Sequence, residues 1–146
     1  MQTTGTRRLF APPETLHRVL GTAATLQGCL PRCDSFTGSI TDGYDFAISY
    51  KIGPLTATFR GRATFSRAVA GQGYVMDVTG SSRLTGSVTA RITLAVTPRP
   101  RFTLMDFEAS LDPSAIVKLI GAERIERAFV AGVGNFANRL KAAAEL

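Results

Sequence analysis

Residues 84–96 read LTGSVTARITLAV. From Leu84 through Gly86, Val88, Ala90, Ile92 and Leu94 to Val96, every second residue is apolar or small. Thr85, Ser87, Thr89, Arg91 and Thr93 stand between them. Successive side chains of a strand point to opposite faces, so a period of two sustained this long reads as a β-strand with one dry face and one wet face. The pattern recurs on both sides. Tyr44, Phe46, Ile48 and Tyr50 alternate with Asp45, Ala47, Ser49 and Lys51. Leu55, Ala57, Phe59, Gly61, Ala63 and Phe65 alternate with Thr56, Thr58, Arg60, Arg62 and Thr64. Tyr74, Met76 and Val78 continue it, and Met105, Phe107, Ala109 and Leu111 close it. TDG (41–43), GQG (71–73), TGSS (79–82) and TPRPR (97–101) are the expected turns between runs. Runs wet on one face and joined by short turns form an antiparallel sheet.

The flanks change period. TTGTRRLFA (3–11) reads as a short strand. Pro13 and Glu14 suit the first turn of a helix whose stripe is Leu16, Val19 and Leu20, ended by Gly21. TAATLQGCL (22–30) gives a second short helix, with Thr22 at its N-cap and Pro31 closing it. At the other end, Ile116, Leu119, Ile120, Ile125, Phe129, Val133, Phe136 and Leu140 recur at helical spacing. Asp112 is the expected N-cap of this long final helix and Pro113 lies in its first turn. Glu123 and Arg127 form an expected surface pair four apart. Gly121, Gly132 and Gly134 invite a kink or a close backbone approach. The expected fold is α+β, a curved antiparallel sheet wrapped around the long C-terminal helix, as one domain over residues 1–146. Such a length buries roughly two thirds of the unfolded chain's surface.

A single helix leaves part of a curved sheet uncovered. Gly61, Ala63, Gly86, Ala90 and Ala109 fall on the dry face and open two readings: they let the helix approach closely, or they leave volume for an apolar ligand. The second is preferred.

Catalytic candidates are few. His17 is the only histidine and has no partner readable in the sequence. Asp34, Asp42, Asp45, Asp77, Asp106, Glu108 and Asp112 fall in turns or on the wet face, and none makes an inward pair. Cys29 and Cys33 are spaced C-x3-C, not the C-x-x-C of redox sites. With His17 they make at most three metal ligands, one short of a structural zinc site. They read as small packed hydrophobes at a bend. No metal site and no catalytic residue is expected. The net charge of +6 is mostly arginine and scattered, without a nucleic-acid-binding motif. It reads as a solvated basic face, with a weak membrane-surface or acidic-partner role as the other reading. No apolar run is long enough for a signal peptide or a membrane span, so a cytoplasmic protein is expected.

Several stretches carry a resemblance: FAPPETLHRVL (10–20), LQGCLPRCDSFTG (26–38), YKIGPLTATFRGRATF (50–65) and AERIERAFVAGVGNFANRL (122–140). Together they are similar to CoxG, the carbon monoxide dehydrogenase G-subunit family, of the START-like helix-grip superfamily. The local patterns are A-P-P-E at 11–14, C-L-P-x-C at 29–33, and Lys51, Gly53, Pro54, Phe59 and Gly61. The resemblance implies the helix-grip fold, a role accessory to molybdenum-containing carbon monoxide dehydrogenases and related hydroxylases, membrane recruitment, and handling of a lipophilic quinone. Three departures stand out. His17 replaces a common aromatic residue, Arg32 replaces a common glycine, and the chain ends at Leu146 without the membrane-directed tail of many members.

The expected function is therefore a non-catalytic protein that binds a lipophilic molecule, such as a quinone, in an internal cavity and serves a partner redox enzyme, with peripheral contact at the inner membrane face. The expected lining is Phe46, Ile48, Tyr50, Phe59, Phe65, Met76, Met105 and Phe107 from the sheet, with Phe129, Val133 and Phe136 from the helix. Two alternatives are a cyclase-type enzyme on the same fold, needing Tyr50, Tyr74 and His17 to converge, and a structural adaptor with a filled core.

Overall fold

A computed structural model of the chain describes residues 1–52, 54–113 and 117–146, and within them every side chain except those of Ile52, Leu55 and Leu119. Gly53 and Ile116, named above, lie outside the described residues, as do the side chains of Leu55 and Leu119. The elements run β1 (Gln2–Leu9), α1 (Pro13–Leu20), α2 (Ala23–Gly28), β2 (Cys33–Ser39), β3 (Gly43–Ile52), β4 (Leu55–Val69), β5 (Gly73–Ser82), β6 (Gly86–Pro98), β7 (Thr103–Asp112), α3 (Val117–Ile120) and α4 (Ala122–Ala144). The strands form one seven-stranded antiparallel sheet in the order β1-β7-β6-β5-β4-β3-β2.

The pairing register carries the alternation across the sheet. Tyr44 lies opposite Ala63, Ala63 opposite Val78, Val78 opposite Ala90 and Ala90 opposite Leu111. Tyr74, Leu94, Phe107 and Gly5 make a parallel row. Residues opposite one another share a face, so these rows are the inner face that α4 covers. The outer face carries the polar set, including exposed ion pairs from Arg62 to Asp45 (2.8 Å) and Arg91 to Asp77 (2.7 Å).

One inner-face glycine makes room for a ring: a Cβ on Gly5 would lie 2.3 Å from the ring of Phe107 on the neighbouring strand, which takes the place of a side chain there. The Phe46 ring lies over Gly80, at ordinary contact distance from where its Cβ would be.

Several local expectations are corrected. The final helix does not begin at Asp112, which still pairs with Thr89 in the sheet. Gly121, at φ 94°, breaks the helical stretch into α3 and α4; that conformation costs glycine little. Among the described residues, the four-apart ion pair of α4 is Lys141 with Glu145, not Glu123 with Arg127. Thr22 occupies the N-cap of α2 but does not cap it, because its hydroxyl donates instead to the Arg18 carbonyl (2.7 Å). That helix ends before Pro31, with Cys29 as its C-cap. The strand β2 has no apolar alternation to announce it: Phe36 is its one buried residue, and its register shifts between Cys33 and Ser35. The TGSS stretch is not a turn. β5 continues through Ser82 and the turn falls at 83–85, so β6 starts at Gly86 and the phase read for Leu84 and Thr85 is reversed. Leu84 is 43 % exposed, whereas Thr85 is 5 % exposed.

Candidate functional site

The long strands and α4 run between two ends of the sheet, and the inner face differs between them. One end holds α1, α2, the end of β1 and the C-terminus of α4. Leu9, Leu16, Leu20, Leu26, Tyr44, Tyr74, Met105 and Leu140 are almost wholly buried there. Rings fill its floor: Phe36 to Tyr44 (4.8 Å between centroids), Tyr44 to Phe65 (6.3 Å), Phe65 to Tyr74 (6.2 Å) and Tyr74 to His17 (5.8 Å). The Tyr44 hydroxyl donates to the Leu20 carbonyl (2.7 Å) and ties α1 to the sheet. The helix is anchored at the same end, where Lys141 donates to the Arg8 carbonyl (2.8 Å) and Glu145 accepts from the Phe10 amide (2.9 Å).

The other end holds the β3–β4 and β5–β6 turns, the end of β7 and the start of α4. Here several inner-face residues are only partly covered, although Ala57 and, at the start of α4, Ile125 are buried. Phe59, Val88, Ala90 and Leu111 from the sheet and Phe129 from the helix are only partly covered and lie outside the packed core. Tyr50 is 44 % exposed, and Val130 on the helix is 45 % exposed. The inner face is thus tightly packed at one end and less completely covered at the other.

The residues named as a lining divide along this axis. Phe46, Met105, Phe107 and Phe136 are core residues. Ile48, Phe65, Met76 and Val133 are partly buried and pack against that core. Phe59, Phe129 and Tyr50 belong to the open end. Val88, Ala90 and Leu111 also belong to the half-covered wall, whereas Val78 and Ile92 are partly buried and pack against the core. Their alternation is plain in the sequence, but a preference for aromatic and methionine side chains passes over them. Two open grooves, of about 390 and 320 Å³, are lined largely by outer-face polar residues such as Asp77, Arg91, Thr6 and Glu108; the first also touches Ala90 and Leu111, and the second Gly5 and Phe107.

Of the three groups that a cyclase-type site would need, two meet. His17 Nδ1 and the Tyr74 hydroxyl are 2.8 Å apart. Tyr50, opposite Ala57, lies far along the sheet from Tyr74, which is opposite Leu94. Burial pushes the Tyr74 phenol up to about 12, so it is a neutral hydroxyl rather than a base at ordinary pH. Among the described residues, no group of three or more histidine, cysteine, aspartate or glutamate side chains is placed to hold a metal. Both cysteines are free. Burial raises the Cys29 thiol, with Arg139 opposing, and raises that of Cys33, where a hydrogen bond to the Ser35 carbonyl opposes. Raised thiols are poor nucleophiles. The segment around them is the bend between α2 and β2, and Arg32 within it adopts φ 57°, a left-handed conformation for which glycine is the easy residue. Among the described residues, no helix is long and apolar enough to cross a membrane.

Solved structures resemble this fold throughout. A conserved protein of Geobacillus kaustophilus is 17 % identical, with a TM-score of 0.84 over 99 % of this chain and 95 % of that one. A protein of Chromobacterium violaceum is 18 % identical, with a TM-score of 0.71 over 99 % and 97 %. The Aha1 dimer of Colwellia psychrerythraea is 13 % identical, with a TM-score of 0.62 over 100 % and 97 %. A search of curated proteins gave no match. The family profile of the carbon monoxide dehydrogenase G-subunit (CoxG) matches residues 5–145. Since that match spans nearly the whole grip, from β1 to the end of α4, the chain belongs to the CoxG family of carbon monoxide dehydrogenase subunits.

Proposed function

We propose that this chain is a non-catalytic accessory protein of a carbon monoxide dehydrogenase or related molybdenum hydroxylase, and that it holds a lipophilic molecule, such as a quinone, in the open half of its grip. The family description supports the accessory role. The carrying observation for the ligand is the half-covered inner wall of Phe59, Val88, Leu111 and Phe129, which stands beside a fully packed core. An apolar ring or isoprenoid chain laid along that wall removes apolar surface from water at about 25 cal/mol per Å², with little need for directional bonds. No residue has to react, and the described side chains of the inner wall include no paired carboxylates or activated nucleophile.

The rim of the open end supports a peripheral membrane contact. Lys51, Arg83, Lys118, Arg124 and Arg127 are exposed around it, outnumbering the exposed Glu123 and Glu126 between them, beside the apolar Leu84 and Val130. Basic side chains near an anionic leaflet contribute about 1 kcal/mol each, and the open end would then face the lipid from which a quinone is drawn.

Organic extraction of the purified protein followed by mass spectrometry tests the ligand reading. A stoichiometric quinone or other lipophile is expected. A clean extract, combined with no saturable uptake of added quinone, would remove the basis for it.

A further inference from the structure

The end of β1 and the turn between β6 and β7 build a second surface, at the anchored end of the sheet. Phe10 is 62 % exposed, more than any other described large apolar side chain except the terminal Leu146. It is nevertheless held in place. Its amide donates to Glu145 (2.9 Å), and the carbonyl of the next residue, Ala11, accepts from the Thr103 hydroxyl (2.6 Å). Its ring meets that of Phe102 edge-on, 6.3 Å between centroids, and Lys141 Nζ lies over it at 4.8 Å. The Arg8 guanidinium lies over the Phe102 ring at 5.2 Å. Arg99 and Arg101 are exposed on either side of Pro100 in the same turn, where the Arg99 amide donates to the Phe102 carbonyl (2.9 Å).

Two rings and four cations therefore share one surface. Among the described residues, Arg8, Arg99 and Arg101 form no ion pair. Of the carboxylates in neighbouring positions, Glu145 is held by Lys141, Asp106 accepts from the Thr6 hydroxyl, and Glu14 stands in the first turn of α1. Single exposed apolar residues are ordinary. A fixed ring among unpaired guanidiniums is different, because aromatic and arginine side chains dominate protein–protein contacts. A ring already held, beside a turn braced by Pro98 and Pro100, loses little freedom on binding. The guanidinium fork matches a carboxylate. One face of each ring is already taken by Lys141 or Arg8, which leaves a nucleic acid less to stack on. The 13-residue β6 runs from the open end to this turn, so the two ends are up to about 40 Å apart. With the open end against lipid, this surface points away from the bilayer. We propose that it docks an acidic segment of a protein partner, whose carboxylates pair with Arg8, Arg99 and Arg101 while an apolar side chain covers Phe10. This rests on the accessory role proposed above and names the end through which the partner is engaged.

The test measures fluorescence anisotropy of a labelled peptide of alternating Glu and Leu, and of a control peptide of Gln and Leu, against the full chain at low salt. Three variants are compared with wild type: Arg99→Glu/Arg101→Glu, Phe10→Ser, and Arg124→Glu/Arg127→Glu at the open end. All five positions are exposed, so the fold does not depend on them. Wild type should bind the acidic peptide and not the control. Arg99→Glu/Arg101→Glu should weaken that binding about tenfold or more, and Phe10→Ser about threefold or more. Arg124→Glu/Arg127→Glu changes the net charge equally and should leave it unchanged. An equal loss in the open-end variant would overturn the proposal, since net charge alone would then be at work. No saturable binding of the acidic peptide by wild type would overturn it too. Vesicles of phosphatidylglycerol and phosphatidylcholine supply the other partner class: a loss of vesicle binding confined to Arg99→Glu/Arg101→Glu would assign this surface to the membrane and overturn the proposal. Quinone uptake by the hairpin variants should match wild type. A wild type that takes up no quinone but binds the acidic peptide would overturn the ligand site alone, which separates the two failures.

Discussion

The two ends of the grip are made from the same strands and the same helix, yet they are packed differently. At the anchored end, α1 and α2 lie under the sheet, a row of rings runs from Phe36 to His17, and Leu140 has no exposed surface. At the open end lies the short α3, and Phe59, Leu111 and Phe129 are only partly covered. Stability is concentrated where the core is filled; the proposed ligand lies where it is not. One apolar stripe on α4 is packed unevenly: Phe136, Leu140 and Ala144 are buried at its C-terminal end and Ile125 near its start, whereas Phe129 between them is only partly covered.

Substitutions at either end sharpen or break this division. The largest expected effect is Leu140→Ala, which removes a fully buried side chain and should cost about 2–5 kcal/mol; urea unfolding measures it, and quinone affinity of the folded protein should not change. Next is Tyr74→Phe, which deletes a buried hydroxyl bonded to His17 and should cost about 1 kcal/mol. Its pH dependence has a definite sign. Because the Tyr74 phenol is raised to about 12, above its unfolded value near 10, it contributes stability that is full below about pH 10 and is lost as the pH rises towards 12. Tyr74→Phe should flatten that limb relative to wild type, and an unchanged limb would contradict the burial of this group. Arg32→Gly should stabilise by up to about 1 kcal/mol, since glycine relieves the left-handed backbone at φ 57°; a loss of stability would show that the arginine side chain makes up for its conformation. The smallest effect belongs to the outer face. Asp77→Asn breaks the pair with Arg91, which holds the Asp77 carboxyl below its ordinary range, and exposed pairs of this kind contribute under about 1 kcal/mol.

Much of the sheet is readable from the sequence because a two-residue period is unambiguous over long runs. From Tyr44 to Phe65 and from Val88 to Leu111 the dry positions fall on one face. β2 is illegible for the opposite reason: an edge strand flanked by a bulge buries only Phe36 and needs no alternation. The break at Gly121 is visible as a weak point but not as a stop, because a helical stripe survives across it. The site is legible as a face and not as a volume. Phe46 and Phe107 look like lining residues by composition, yet their rings settle over Gly80 and Gly5 and become core. The burial of Thr85 is invisible because a turn displaced from 79–82 to 83–85 inverts its phase.

The central claim is that the open end, and not the filled one, holds a lipophile. Equilibrium dialysis of decylubiquinone against wild type, the Phe59→Ala/Phe129→Ala double variant and Leu140→Ala tests it most directly. The account predicts saturable binding by wild type and a loss of about tenfold or more in the double variant, because two apolar contacts are removed. It predicts wild-type affinity for folded Leu140→Ala. Unchanged binding in the double variant, or no saturable binding by wild type, would contradict it.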